Sequence, residues 1–211
     1  MVETISASSL TLHEIKQKFN LQQSDRPDFF PEWQAPLPEL TVEEKGWLDR
    51  VKADFLSLAE YPLHEKIVKM AVLSPLLFFA GFFRYPFYPR AEVEVEIAAE
   101  DNEEVVKGKI DVLILQEQIW VTVIETKNKQ FSLARAIPQA LFYMMSSPIV
   151  NRPIFGLVTN GSHFTFIKLL KQPIPQYALS DEFSLNRRGN ELYDVLGLLK
   201  RLGELTQSAA A

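Results

Sequence analysis

Polar and apolar positions divide the chain into segments with helical and extended periodicity. Thr41 and Glu44 form a capping-box pattern ahead of an apolar stripe, which predicts a helix of about 18 residues. A longer apolar run over 63–83 predicts a second helix that is bent or interrupted at Pro75. A leucine-rich stripe between residues 190 and 205 predicts a C-terminal helix.

Short runs rich in valine, isoleucine and leucine predict the strands. Residues 91–97 alternate glutamates with apolar residues, which is typical of a half-exposed strand. Two runs on either side of 116–118 predict a hairpin, and Asn160-Gly161 is a strong turn signal between strands 154–159 and 163–170. Both faces of the first hairpin are apolar, so helices are expected on both faces. The pattern predicts an α/β fold with a mixed central sheet of about five strands.

The length of 211 residues predicts one domain with an additional N-terminal arm. Residues 1–40 form this arm, with a short helix expected over 11–20, and prolines that exclude a helix over 26–39. The aromatic residues among those prolines are expected to pack on the domain itself; the alternative is a protein partner. Residues 41–206 form the domain, and residues 207–211 a frayed tail.

Composition limits the compartment and the available chemistry. Hydrophobic residues make up 47%, but no apolar window is long enough for a membrane span, and the N-terminus lacks signal-peptide features. The cytoplasm is the expected location. The absence of cysteine excludes disulfides and thiolate metal sites. A phosphate-binding loop of the Gly-x-x-x-x-Gly-Lys-[Ser/Thr] type is missing, so this chain carries no nucleotide-driven motor of the usual kind.

The formal net charge of −5 counts against a dedicated nucleic-acid binder. Seven of the acids, however, lie close together over 92–104. A local basic rim could still hold a few phosphates, and an ordinary solvated surface is the alternative. The rim residues are Lys107, Lys109, Lys127, Lys129 and Arg135.

The first hairpin carries the most informative polar residues. If it folds in the middle of its connection, Asp111 lies opposite residues 123–125, with facing Cβ atoms about 5 Å apart. Glu125 and Lys127 then point to one face, and Thr126 to the other. Two carboxylates suit Mg²⁺, and a nearby lysine can orient a water molecule or neutralise a phosphate. The alternative is a solvated Glu–Lys pair at a strand end.

An acid on one strand followed by Glu-x-Lys on the next resembles the signature of the PD-(D/E)xK nuclease superfamily. The proline of that signature is absent here. Gln139 and Tyr143 lie four residues apart on one face of a predicted helix. This Gln-x-x-x-Tyr pattern, after Glu-x-Lys, resembles the nuclease domain of the restriction (R) subunits of type I restriction enzymes.

An upstream acid extends the resemblance to roughly residues 50–205. Glu65 precedes Pro75-Leu76-Leu77 and Gly81, as does an acidic residue on the first core helix of that family. Segments 138–145 and 156–161 are also similar to a group of short cyanobacterial proteins described as restriction-subunit-like.

The resemblance implies a restriction-endonuclease-like core and Mg²⁺-dependent hydrolysis of DNA phosphodiesters, with Mn²⁺ as a substitute. Lys127 would position the attacking water, and Gln139 and Tyr143 would orient DNA or the site acids. The implied metal ligands are the carboxylates of Glu65, Asp111 and Glu125 and the backbone carbonyl of Thr126. The alternative function is a non-catalytic module that keeps the nuclease fold to bind a protein or nucleic-acid partner.

Overall fold

The computed structural model describes residues 3–58, 60–98, 104–116, 119–126 and 132–208. It is a mixed α/β fold built on one sheet. The described residues form nine strands, which are β1 Glu3–Ser6, β2 Gln22–Gln23, β3 Phe87–Ala98, β4 Glu104–Gln116, β5 Ile119–Thr126, β6 Ile154–Thr159, β7 His163–Leu170, β8 Gln176–Leu179 and β9 Phe183–Ser184.

The main strand order is β1-β4-β5-β6-β7-β8-β2, with β3 paired to β4 and β9 paired to β7. The β1–β4, β5–β6 and β2–β8 pairs are parallel, and the others are antiparallel. The sheet is therefore mixed, as predicted. The predicted number of about five strands was too low, because β1, β2, β8 and β9 are too short to show an alternating pattern.

Seven α-helices accompany the sheet in the described part of the chain. Two begin with capping boxes, Thr11 with Glu14 and Thr41 with Glu44, of which the second was predicted. The helices are α1 Leu12–Lys18, α2 Pro31–Gln34, α3 Val42–Leu58, α4 Glu65–Val68, α5 Ser74–Phe79, α6 Ala136–Ser146 and α7 Leu192–Ser208.

Helices cover both faces of the sheet, as its two-sided apolar strands predict. On one side, called the α7 face, α3, α5 and α7 pack on side chains such as Leu157 and Phe166. On the other side, called the α6 face, α1 and α6 pack on side chains such as Val158 and Ile167. Adjacent residues of β6 and β7 thus supply opposite cores, as the pleat of a strand requires.

The N-terminal arm packs on the domain, as expected. Strands β1 and β2 join the sheet, and Phe29 and Phe30 are buried on the α7 face. The expectation that prolines exclude a helix over 26–39 was wrong, since α2 lies inside that segment. Pro31 is the first residue of this short helix, where a backbone N–H has no intrahelical partner to lose.

The helix predicted over 63–83 is interrupted, as expected near Pro75. It starts with α4, passes through a π-helical turn at Lys69–Leu73 and continues as α5. Proline lacks an N–H and crowds the carbonyl four residues earlier, so a regular helix cannot run through this position. Gly81, with a φ of 81°, follows the end of α5.

The C-terminal helix α7 extends to Ser208, two residues past the predicted domain end at 206. Residues 209–211 of the predicted tail lie outside the described residues. No helix in the described part of the chain is long and apolar enough to cross a membrane.

Candidate functional site

The β4–β5 pairing determines which residues stand beside Asp111. The ladder runs from Gln116–Ile119 to Val112–Ile124 and contains a bulge in which β5 contributes one extra residue, Val121. One further step in this register places position 111 opposite position 125. Without the bulge, position 111 would stand opposite 124, so this local irregularity brings the two acidic positions next to each other along the backbone.

The remaining residues of the Glu-x-Lys motif are only partly described. The backbones of Glu125 and Thr126 belong to β5 and pair with β6. Their side chains and the whole of Lys127 lie outside the described residues. Their parts in a metal site stay predictions.

Near Asp111 the backbone is irregular on both β3 and β4. Ile110 and Leu113 both pack on the α6 face, whereas Val112 packs on the α7 face, so the alternation of β4 changes at this point. The β3–β4 register places Glu92 opposite Asp111, and Glu92 has a φ of 53°. A positive φ is uncommon for a glutamate, and such backbone is concentrated at functional sites.

A lysine joins Asp111 to Glu65, the acid predicted from the upstream helix. The Nζ atom of Lys69 lies 2.6 Å from Oδ1 of Asp111 and 3.0 Å from Oε1 of Glu65. The side chains are 23% exposed for Lys69, 14% for Asp111 and 33% for Glu65, so the cluster is only partly accessible to water. The structure thus brings two predicted metal ligands, distant in sequence, to a single cation.

The charge of Lys69 is maintained in this partly buried position. Burial lowers the pKa of its ammonium, but hydrogen bonds and charges from Asp111 and Glu65 more than offset this effect. The pKa of Lys69 therefore lies above its ordinary value. Lys69 remains a cation at neutral pH.

Helix α4 positions Glu65 and Lys69. His64 caps the helix, with its Nδ1 accepting a hydrogen bond from the backbone N–H of Lys66 at 3.2 Å. Glu65 lies in the first turn, and Lys69 lies four residues later on the same side, at the start of the π-helical turn. The sequence interpretation missed Lys69. The available signal for Lys69 was its position four residues after Glu65, which places the two side chains on one side of a helix.

Gln139 and Tyr143 lie on the buried side of α6, where they are 7% and 1% exposed. The side-chain amide of Gln139 donates to Oη of Tyr143 at 2.7 Å, and the backbone N–H of Lys109 donates to the same oxygen at 3.0 Å. Tyr143 therefore fixes β4 two residues before Asp111. The hydrogen-bonded pair Gln139 and Tyr143 therefore contacts the backbone of the strand that carries Asp111.

Gly108 permits this contact. A Cβ atom at position 108 would lie 2.6 Å from Cε1 of Tyr143 and 2.7 Å from Cβ of Ala7. Both contacts are shorter than packed atoms allow. The close approach of α6 to β4 therefore requires glycine here.

Substitution Gly108→Ala is expected to lower the free energy of unfolding by about 1–3 kcal/mol, because the added methyl group overpacks this junction. Urea denaturation of the purified variants measures this change. The matched control is Gly46→Ala on α3, where an added Cβ meets no atom within 4 Å. That control should gain about 0.5–1 kcal/mol from helix propensity. Equal effects at both sites would contradict the described packing.

The predicted basic rim is partly neutralised. Lys107 pairs with Glu96 at 3.1 Å, and Lys109 with Glu92 at 3.3 Å, across the β3–β4 ladder. These exposed pairs are weak and readily exchanged for other partners. Lys127 and Lys129 lie outside the described residues, and Arg135 is exposed just before α6.

The donor set fits a hard divalent cation. Carboxylate oxygens are the ligands that Mg²⁺ prefers, and Mg²⁺ often keeps several water molecules beside one or two carboxylates. Glu65 and Asp111 already share one cation, the ammonium of Lys69. No group of three or more His, Cys, Asp or Glu residues arranged to hold a metal occurs within the described ranges. A third carboxylate would have to come from a side chain outside them, such as that of Glu125.

The chain matches no family model, and no curated protein shows significant similarity to it.

Proposed function

We propose that this protein is a divalent-metal-dependent DNA nuclease with a PD-(D/E)xK-type, restriction-endonuclease-like core, similar to the nuclease domain of type I restriction subunits. The convergence of Glu65 and Asp111 on one cation is the observation that carries this proposal. Two acids, one from a helix and one from a distant strand, contact the same ammonium in a partly buried site, where charged groups need partners.

The order of the elements supports the proposal. Helices α4 and α5 precede three antiparallel strands, β3 to β5, and α6 then crosses over to β6, which lies parallel to β5. The contacts of Lys69 put α4 beside the part of β4 where its pairing with β5 ends. Glu65, Asp111 and the backbones of Glu125 and Thr126 therefore belong to one region of the sheet.

Each residue has a proposed task. Glu65 and Asp111, together with Glu125 and the carbonyl of Thr126, hold Mg²⁺ or Mn²⁺. A metal held there would supply Lewis-acid activation of the phosphodiester and of a water molecule. Lys127 orients that water and stabilises the charge that develops on the phosphate. Gln139 and Tyr143 keep β4, and with it Asp111, in position.

A cleavage assay tests this function. The protein is incubated with single-stranded, duplex and branched DNA in Mg²⁺, in Mn²⁺ and in chelator, without ATP. We expect cleavage of at least one substrate with metal and none with chelator, and metal should also raise the melting temperature through preferential binding to the folded state. If no DNA is cut and neither metal shifts the melting temperature, the proposal is wrong and a non-catalytic binding module takes its place. Strict ATP dependence would also contradict it.

A further inference from the structure

Lys69 has no task in the proposed hydrolysis, yet it makes close polar contacts with both described acids of the site. Its ammonium lies 2.6 Å from Asp111 and 3.0 Å from Glu65, the two residues assigned to the metal. An ammonium at these distances lies against the same two carboxylate groups that a divalent ion would bind. If the ammonium of Lys69 and the divalent ion occupied the site together, their positive charges would lie within a few ångströms of each other.

We propose that Lys69 is a built-in counter-ion that competes with the divalent cation for Glu65 and Asp111, and so sets the metal affinity of the protein. This inference rests on the proposed function, because it assumes that these acids bind metal. It adds a regulatory residue that no part of the cleavage chemistry requires.

Lys69 connects two elements, and part of its side chain is open to water. Glu65 is on the same helical side, one turn earlier, and Asp111 is on a different element, so the lysine bridges α4 and β4. The side chain is 23% exposed, which leaves a path for the ammonium toward water at the end of its flexible stem. Its position at the first residue of the π-helical turn is a second local irregularity, and such turns are frequent at functional sites.

The competition has a direct physical consequence. In the metal-free protein, Lys69 neutralises one of the two negative charges and holds α4 against β4. Metal binding must displace it, and the free energy lost in breaking both contacts is subtracted from the intrinsic metal affinity. The site therefore fills only when the divalent ion is plentiful, and the acids are never left without a cation.

The test measures Mn²⁺ and Mg²⁺ binding to the full chain by isothermal titration calorimetry and by the metal-induced shift in melting temperature. The variants are Lys69→Met, which keeps the apolar stem and removes the charge, and Lys69→Arg, which keeps the charge. Lys69→Gln serves as a second neutral variant in case the methionine variant does not fold. The matched control is Lys66→Met, on the same helix with an exposed side chain.

Removal of the competing charge should tighten metal binding roughly tenfold or more, because a unit charge a few ångströms away acts strongly in a partly buried site. Lys69→Met and Lys69→Gln should both show this gain. Lys69→Arg and Lys66→Met should stay within about twofold of the unaltered protein. If the wild-type protein binds metal too weakly to measure but a neutral variant binds it, that result also supports the inference.

Two other results would overturn the inference in distinguishable ways. If the unaltered protein binds metal and the neutral variants bind it equally or more weakly, Lys69 does not compete, and the metal site itself survives. If no protein in the series binds metal, the proposed function fails together with the counter-ion.

Discussion

Asp111→Asn is expected to reduce the cleavage rate by on the order of 10²-fold or more, the largest effect expected on activity. Asparagine keeps the shape of the side chain but removes the negative charge that would hold the metal. The metal-induced rise in melting temperature should shrink in parallel. Cleavage kinetics and melting curves, each with and without Mg²⁺ or Mn²⁺, measure both effects.

The control for this variant is Asp54→Asn, at an exposed aspartate of α3, which should leave cleavage unchanged. Metal-free Asp111→Asn should lose about 1–3 kcal/mol of stability, because Lys69 loses a charged hydrogen-bond partner at 2.6 Å. Lys127→Ala should instead lower kcat while DNA affinity changes little, since its proposed task is in the transition state. If Asp111→Asn cleaves DNA at the normal rate, Asp111 is not part of the catalytic site.

Glu32→Ala is expected to lower the free energy of unfolding by about 3–5 kcal/mol, the largest effect on stability. Glu32 on α2 accepts a hydrogen bond from Nζ of Lys168 on β7 at 2.6 Å, and the two side chains are only 14% and 10% exposed. The alanine variant leaves a buried ammonium without its counter-charge, beside the ring of Phe29. Urea denaturation and melting curves measure the loss.

Two further variants make this result specific. Glu39→Ala removes an exposed glutamate of the same arm and should change stability by less than about 0.5 kcal/mol. The double variant Glu32→Leu with Lys168→Met replaces the pair by apolar groups and should recover most of the loss, since no charge is left unpaired. A double variant as unstable as Glu32→Ala would show that the loss does not come from leaving the ammonium of Lys168 unpaired.

Elements with strong local signals could be predicted closely from the sequence. Strands β6 and β7 have the predicted bounds, because Asn160-Gly161 sets the turn and Gly161 adopts the required positive φ of 84°. Helix α3 begins after its capping box at Thr41. In each case the information lies within a few neighbouring residues.

Features set by contacts between distant residues could not be predicted. The strand β1 consists of four residues, and its pairing with β4, about 100 positions later, leaves no local pattern. The bulge at Val121, which brings position 111 opposite 125, depends on how β5 lies between β4 and β6. Lys69 was missed because its spacing from Glu65 indicates only an ordinary ion pair within a helix, and its contact with Asp111 on another element leaves no local pattern.

The metal centre is tested most directly by the anomalous scattering of Mn²⁺ in crystals of the protein. A difference peak should lie about 2.0–2.3 Å from carboxylate oxygens of both Glu65 and Asp111, with the ammonium of Lys69 moved away from them. A fully occupied Mn²⁺ site elsewhere, or the Lys69 contacts intact at saturating Mn²⁺ with no peak between the two acids, would contradict the proposed metal centre.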